Sequence, residues 1–529
     1  MVLVEAYDIL RPFYCILILM LFRKPSFVFG TSDLANLEVK GYRLQQYDIG
    51  GVSYGSRGWK LMHEGGRWPD EMKRRCFVVF WTHLINGKLN TLPNYELSGL
   101  IIIVPSSFQN LSASSLKIFK EFETKLKTLS TPMAIYFIRD SAQVRQIAAN
   151  VDSTIPRATD SYWKQIFNSV TGDSYFIATK NQLKNNSLVA FQMTNIIGKL
   201  ACKFSKPKTI LIVAYYDSNS VIPGLSNSVD SNGSGVVALI ELMAVLKKFY
   251  FNAKASPRYD IVFMLSAGGK FNYQGSRNYL DNLDDGKKLD LVICLDSIGK
   301  KQPMNVHLSK LPSDKTAMHK FIKELKAFSP NKELNIIRKP INRKHSKLAW
   351  EHEIYNMKQI PAFTLSHYEA HDDPAKDSVL DESIHIDALK ANIKTIAESL
   401  LSFMFNLPKE TCNQDNCSIL SEAAISTDRL QSISNLTNSM SRAISSNQNV
   451  LIEELSNLMD FYTNTNLNTT KLEPLFYTFY DIPEDTIYFI KTKAYFYEPY
   501  IGSLFFVYLF LIYNYASKLH DFLIYLTTK

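Results

Sequence analysis

From Lys208 to about Leu407 the chain repeats one pattern: a short apolar run, a loop of small or charged residues, then a helix-length amphipathic segment. The spacing predicts strands over 209–214, 261–266, 291–295, 334–337 and 362–366. It predicts helices over 236–249, from Gly275 onward, near 317–328 and over 387–405. The strand runs are apolar throughout rather than alternating, which requires a sheet covered on both faces by helices. In sheets of this kind chemistry collects at the carboxyl ends of the strands. Asp217, the Gly269-Lys270 pair and Asp296 all fall there.

Before this region, residues 31–195 read as a mixed N-terminal lobe. LIIIVP at 100–105 is a short buried strand, followed by an amphipathic helix over 115–126 and a strand over 134–138, one βαβ-like unit. The core α/β domain is taken as 196–407. After it, 408–493 is richer in Ser, Asn and Gln, with Leu430, Ile433, Leu436 and Met440 on a helical stripe. That segment reads as a helical stalk.

Both ends carry apolar runs. Pro12 to Phe22 is eleven apolar residues after Arg11, too short for a comfortable span but suited to the core of a secretory signal over 1–30. A buried helix and an uncleaved anchor are the alternatives. Tyr500 to Ala516 is seventeen residues without a charge, edged by tyrosines, and predicts a transmembrane helix over 494–516 with a cytosolic tail at 517–529. The expected topology is single-pass, with the bulk of the chain lumenal in the endoplasmic reticulum. Asn110, Asn185, Asn416, Asn435 and Asn468 head N-x-S/T triplets and become glycosylation candidates on that topology. Cys412 and Cys417 could close a small loop in an oxidising lumen, and Cys294 lies in an apolar run, buried and free.

Composition closes several options. Lys plus Arg is 59 against 50 Asp plus Glu, so the net charge of +9 is modest, spread along the chain, and does not point to nucleic acid. With 46% hydrophobic and 21% charged residues the chain is not mainly disordered. Six cysteines in 529 residues exclude a disulfide-dense scaffold.

The strand ends then carry a familiar order: Asp217, the turn Asn232-Gly233-Ser234-Gly235 opening a helix, Gly275-Ser276, and Leu295-Asp296-Ser297-Ile298-Gly299. Residues 208–407 resemble the two-zinc aminopeptidases and their carboxypeptidase relatives. The resemblance implies an aminopeptidase-like mixed sheet in which two zincs activate a bridging water and a glutamate acts as base. Matched position by position, the site is degenerate. The His of the H-x-D triplet is Tyr215, the bridging Asp is Ser231, and the Glu pair is Gly269-Lys270. Asp296 and His371 are the remaining ligand candidates, too few for a tetrahedral zinc site. The expectation is a pseudo-peptidase with no cofactor. Lys270 has two readings: its ammonium offsets Asp296 or Asp217 in the metal's place, or it points to solvent.

Longer strings narrow the resemblance to the nicastrin/nicalin group, and within it to the nicalin family. They are Tyr42 to Asp48 with Tyr54-Gly55-Ser56-Arg57, Gly268 to Gly275, Leu348 to Glu353 and Ile360 to His367. Tyr215 departs from the His usual in that family. The resemblance implies a non-catalytic scaffold subunit of an endoplasmic reticulum membrane complex. Its implied partners are a nodal modulator-like lumenal protein, a small multipass membrane protein and the protein-conducting channel. The implied role is assistance in biogenesis of multi-span membrane proteins. Two other readings stay open: a nicastrin-like ectodomain that binds peptides without chemistry, and a divergent metallo-aminopeptidase. The basic run Arg338 to Lys347 is a solvated loop or a partner-docking patch, and His352 between two glutamates is a packed histidine or a ligand.

Overall fold

A computed structural model describes residues 37–49, 51–66, 75–85, 98–109, 111–154, 161, 174–180, 193–225, 228–252, 257–283, 288–330, 334–342, 347–407, 418–440, 442–443, 448–463, 468–472, 477–480, 484–492 and 497–527. The signal expected at 1–30, the sequons at Asn110, Asn185 and Asn416, the side chain of Asn468, and Cys412 and Cys417 lie outside the described residues. Asn435 is exposed, and Cys294 is buried and free.

Two sheets organise the described chain. The first uses β1 (Leu37–Arg43), β2 (Tyr47–Ile49), β3 (Val52–Gly58), β4 (Met62–Gly66), β5 (Arg75–Phe80), β6 (Gly99–Val104), β7 (Ser130–Arg139) and β8 (Ser174–Thr179). The second uses β9 (Met193–Leu200), β10 (Lys208–Tyr215), β11 (Tyr259–Ser266), β12 (Leu289–Leu295), β13 (Asn305–Leu308), β14 (Asn335–Arg338), β15 (Ala362–Ser366) and β16 (Asn468–Leu472). β17 (Tyr477–Phe479) and β18 (Glu484–Thr492) return to the first sheet.

The second sheet runs β14-β13-β15-β12-β10-β11-β9-β16 and is mixed, with a parallel centre at β11-β10-β12-β15. One face is covered by α3 (Gly233–Asn252), α5 (Ala317–Phe328) and α7 (Ile386–Phe405), the other by α4 (Gln274–Asp281) and α6 (His352–Met357). The two-sided cover explains the continuous apolar strand runs. α3 is apolar nearly all round because it is buried nearly all round. Its one acid, Glu241, is buried and paired with Arg429.

The first sheet closes on itself. β1 pairs with β18 on one side and β7 on the other, so β1-β18-β8-β4-β5-β6-β7 forms a ring of strands, a closed barrel. Ile101, Ile103, Tyr136, Ile177, Ile487 and Phe489 cluster on one face of these strands, and α2 (Ala142–Thr154) packs on that cluster. α1 (Ala113–Lys127) packs on the other face, against Phe77, Val79, Leu100, Ile102 and Val104. Ser112 caps α1 by accepting from the Ser115 N–H, and Lys125 and Lys127 sit at its negative end. Phe119, Phe122, Glu123 and Leu126 form its buried face, so an acid occupies a core position. Val221, Ile222, Leu225 and Val379 from the second lobe pack into the same cluster.

The segment expected as a stalk is woven into both lobes. α8 (Thr427–Ser439) and α9 (Asn449–Tyr462) pack on α3 with Leu430, Ile433, Leu451, Leu455 and Met459 buried. β16 then extends the second sheet and β18 completes the barrel.

The last helix, α10 (Tyr497–Thr527), has 31 residues. Among the described residues no helix is long and apolar enough to cross a membrane. This overturns the expected transmembrane helix over 494–516, and with it the single-pass placement in the endoplasmic reticulum membrane. Tyr508, Tyr513, Asn514, Tyr515 and Lys518 interrupt the apolar stretch. The Asn514 side chain turns back to donate to the Phe510 carbonyl at 2.9 Å.

Candidate functional site

The ends of β10, β11 and β12 bring Tyr215, Asp217, Gly269, Lys270 and Asp296 together, with Ser231 arriving on the turn before α3. That turn is drawn tight by backbone contacts. A Cβ on Gly235 would stand 2.6 Å from the Asp296 carbonyl oxygen, so the first turn of α3 can approach the β12 end only as glycine. Asp381 holds the turn from the other side, its Oδ2 accepting from the N–H groups of Asp230 and Ser231. Asp230 Oδ1 accepts from the Gly299 N–H at 2.8 Å.

Every oxygen that the resemblance would assign to a metal is already bound to a donor. Tyr215 Oη donates to Asp296 Oδ1 at 2.8 Å, and Ser366 Oγ donates to Asp296 Oδ2 at 2.8 Å. Lys376 Nζ lies 2.8 Å from the same Oδ2, with both side chains buried. Asp217 accepts from the N–H of Gly269 at 2.8 Å and of Lys270 at 3.0 Å, which ties its loop to the next one. Lys270 Nζ donates to Ser231 Oγ (2.8 Å) and the Lys376 carbonyl (3.0 Å), and pairs with Asp377 Oδ1 at 2.9 Å.

Lys376, on the short turn Pro374–Asp377, was not singled out by sequence reasoning. A lysine in an Asp-Pro-rich loop reads as solvated, and only the fold turns it inward. Its ammonium lies 4.3 Å from the Trp350 ring centroid and 5.9 Å from that of Tyr368, a partial aromatic cage beside a carboxylate. The Lys270 ammonium is buried as well, its side chain 6% exposed, so it does not point to solvent. Its acid partner is Asp377, while Asp296 is matched by Lys376.

The electrostatics agree with the geometry. Burial alone would push Asp296 up, but the Lys376 charge and hydrogen bond, the Lys270 charge and the Tyr215 hydroxyl hold it well below the usual carboxylate range. Burial pulls the Lys376 ammonium below its ordinary value against the attraction of Asp296. Burial and the neighbouring Asp296 push the Tyr215 phenol well up, so it remains a neutral donor. Asp217 is raised by burial despite its two backbone donors.

His371 is placed elsewhere. Its side chain is 31% exposed and its Nδ1 lies 2.8 Å from Lys339 Nζ. His352 is buried with Nδ1 2.9 Å from Thr364 Oγ1. His367 is nearer the turn, its Nδ1 2.9 Å from the Ser297 carbonyl and 3.5 Å from Asp230 Oδ2.

A zinc pair does not fit these residues. An ammonium group and a phenol occupy Asp296, two backbone N–H groups occupy Asp217, and no group of three His, Cys, Asp or Glu able to hold a metal occurs among the described residues. The base position is closed sterically too. A Cβ on Gly269 would stand 2.0 Å from Tyr215 Cγ, so Tyr215 fills the space a glutamate there would need.

Residues 195–400 match the model of peptidase family M28. The crystal structure of nicastrin, the gamma-secretase component, superposes with a TM-score of 0.56 at 12% identity, covering 85% of this chain and 99% of that one. At that identity the likeness speaks for the fold. The chain therefore carries an M28 peptidase-like fold without the base or the ligand set and is a pseudo-peptidase. Nicalin of Caenorhabditis elegans is 30% identical over 427 residues, 75% of each chain. The BOS complex subunit ncln of Danio rerio is 30% identical over 493 residues, 86% of each chain. With 30% identity over three quarters or more of each chain, the chain belongs to the nicalin family.

Proposed function

We propose that the protein is a non-catalytic scaffold subunit of a BOS-type complex of the endoplasmic reticulum. In this reading it joins a nodal modulator-like lumenal protein and a small multipass membrane protein beside the protein-conducting channel, assisting biogenesis of multi-span membrane proteins. The observation that carries the non-catalytic half is the Lys376–Asp296 pair, reinforced by Tyr215, in the place where hydrolysis would need metal. The kinship with BOS complex subunits over most of the chain supports the assembly half. Tyr215, Lys270 and Lys376, packed against the cleft acids, oppose a nicastrin-like peptide-binding role at the same position.

The test is affinity purification of the tagged full chain from detergent-solubilised cells, with mass spectrometry and metal analysis of one sample. Recovery of a large lumenal partner, a multipass partner and channel subunits without zinc is expected. Stoichiometric zinc with hydrolysis of aminoacyl reporters would overturn the reading.

A further inference from the structure

A cavity of about 150 Å³ lies where the barrel lobe meets the α/β lobe, beside the filled site. Lys127 at the end of α1, Lys347 at the end of the basic run, and Asp377 line its polar side, with Leu126 and Val221 on the apolar side. Asp377 is already matched by Lys270 at 2.9 Å. Lys127 and Lys347 add two further positive charges to the wall.

The carbonyls at the α1 terminus, which would favour a cation there, are already engaged. Leu126 O accepts from the Leu129 N–H at 3.2 Å, Lys125 O from the Thr128 hydroxyl at 3.1 Å, and Lys127 O from the Tyr47 hydroxyl at 3.5 Å. The other acid close by, Glu123, is turned away and engaged with Ser378 and the Val379 N–H. Asp377 reports the local field. Burial would push it up, yet Lys270, Lys127 and Lys347 together bring it down to about 2.

We infer that this junction cavity receives a carboxylate side chain from an acidic, extended segment of a partner protein, seated between Lys127 and Lys347. The charge of the wall selects the anion, and the Leu126 and Val221 surface accepts the methylenes of a Glu better than a bare inorganic ion. In sequence, the run Arg338 to Lys347 that ends at the cavity wall holds further basic residues to match more acids on the same segment. The inference adds partner chemistry to the scaffold reading and rests on that reading for its biological use.

The probe is fluorescein-labelled, C-amidated hexaglutamate, titrated onto the full chain in detergent at low salt and followed by anisotropy. Hexalysine is the charge control and inorganic phosphate the competitor. Hexaglutamate is expected to bind, with at least a tenfold loss in the Lys127→Glu/Lys347→Glu variant and little change in Lys320→Glu/Lys323→Glu, which reverses two exposed lysines of α5. Equal weakening in both variants, displacement by phosphate at matched concentration, or no binding would each overturn the inference. Circular dichroism of each variant shows whether it is folded before its affinity is read. Since the titration needs no partner, its failure leaves the scaffold reading to stand or fall on co-purification.

Discussion

Lys376 Nζ stands 2.8 Å from Asp296 Oδ2 beneath the Trp350 ring, an internal ion pair at the position that active relatives would give to metal. Removing one member of a buried pair leaves the other charge unmatched in low dielectric, at a cost of about 3–5 kcal/mol. Lys376→Met is therefore expected to lower stability by roughly that amount. Removing both charges, as Lys376→Met/Asp296→Asn, should cost clearly less than the sum of the single changes. Urea midpoints of the four proteins of this cycle decide it. Additive losses would mean that the two side chains do not stabilise each other.

Lys270 makes a second and distinct pair, with Asp377. Lys270→Glu would place a carboxylate among Asp377, Ser231 and the Lys376 carbonyl, where an ammonium donates to all three. A loss on the order of 3 kcal/mol follows from exchanging attraction for repulsion at a buried position. Lys270→Met should cost less than the reversal. An unchanged melting temperature for Lys270→Glu would remove Lys270 from the account of the site.

Gly269 and Tyr215 are mutually dependent. A methyl group at Gly269 meets the Tyr215 ring at 2.0 Å, far inside contact distance, and overpacking of this kind costs about 1–3 kcal/mol or more. Gly269→Ala should therefore be destabilising in the native background and much less so beside Tyr215→Ser, where the ring is gone. The pairing is read from thermal denaturation of the two single variants and the double variant. The same geometry predicts that Gly269→Glu alone restores no peptidase activity, because the new side chain has no room near Asp296.

Much of this site is legible in the sequence because strand ends are legible. Apolar runs locate β10, β11 and β12, and the residues just after them must converge at one edge of the sheet, which places Asp217, Lys270 and Asp296 together. Lys376 escapes because it belongs to a loop without periodicity, where a charged residue ordinarily means solvent. His371 misleads for the same reason: a loop histidine after a strand fits the motif order, but the turn at Pro374 carries Lys376 inward instead. The barrel is hidden for a different reason. β1 and β18, whose pairing of Leu37 with Phe489 helps close it, come from opposite ends of the described chain. No local pattern encodes such a contact. In α10 the apolar count is high, yet among the described residues no helix is long and apolar enough to cross a membrane.

Glu123 supplies a pH signature for the contact between the lobes. It projects from α1 to engage Ser378 and the Val379 N–H (3.0 Å), one residue beyond the turn that carries Lys376 and Asp377. Burial pushes its carboxyl from 4.5 up to about 7, with Ser378 and Val379 only partly offsetting this. The folded state then holds more protons than the unfolded state between about pH 4.5 and 7. The stability it contributes is complete below that window and falls as pH rises through it. His307 and His352, held by burial down to about 4 and about 3, work in the opposite sense below their ordinary 6.5. The stability curve of the whole protein mixes these contributions, whereas the difference between wild type and Glu123→Gln isolates one. Glutamine keeps the size and an acceptor for Val379 but never ionises. The variant should be close to wild type at pH 5 and more stable than it at pH 8, by on the order of 2–3 kcal/mol. Guanidinium denaturation at the two pH values measures that difference. A gap that stays constant with pH would show that Glu123 is ionised in the folded protein throughout, with its charge met by groups other than Ser378 and Val379.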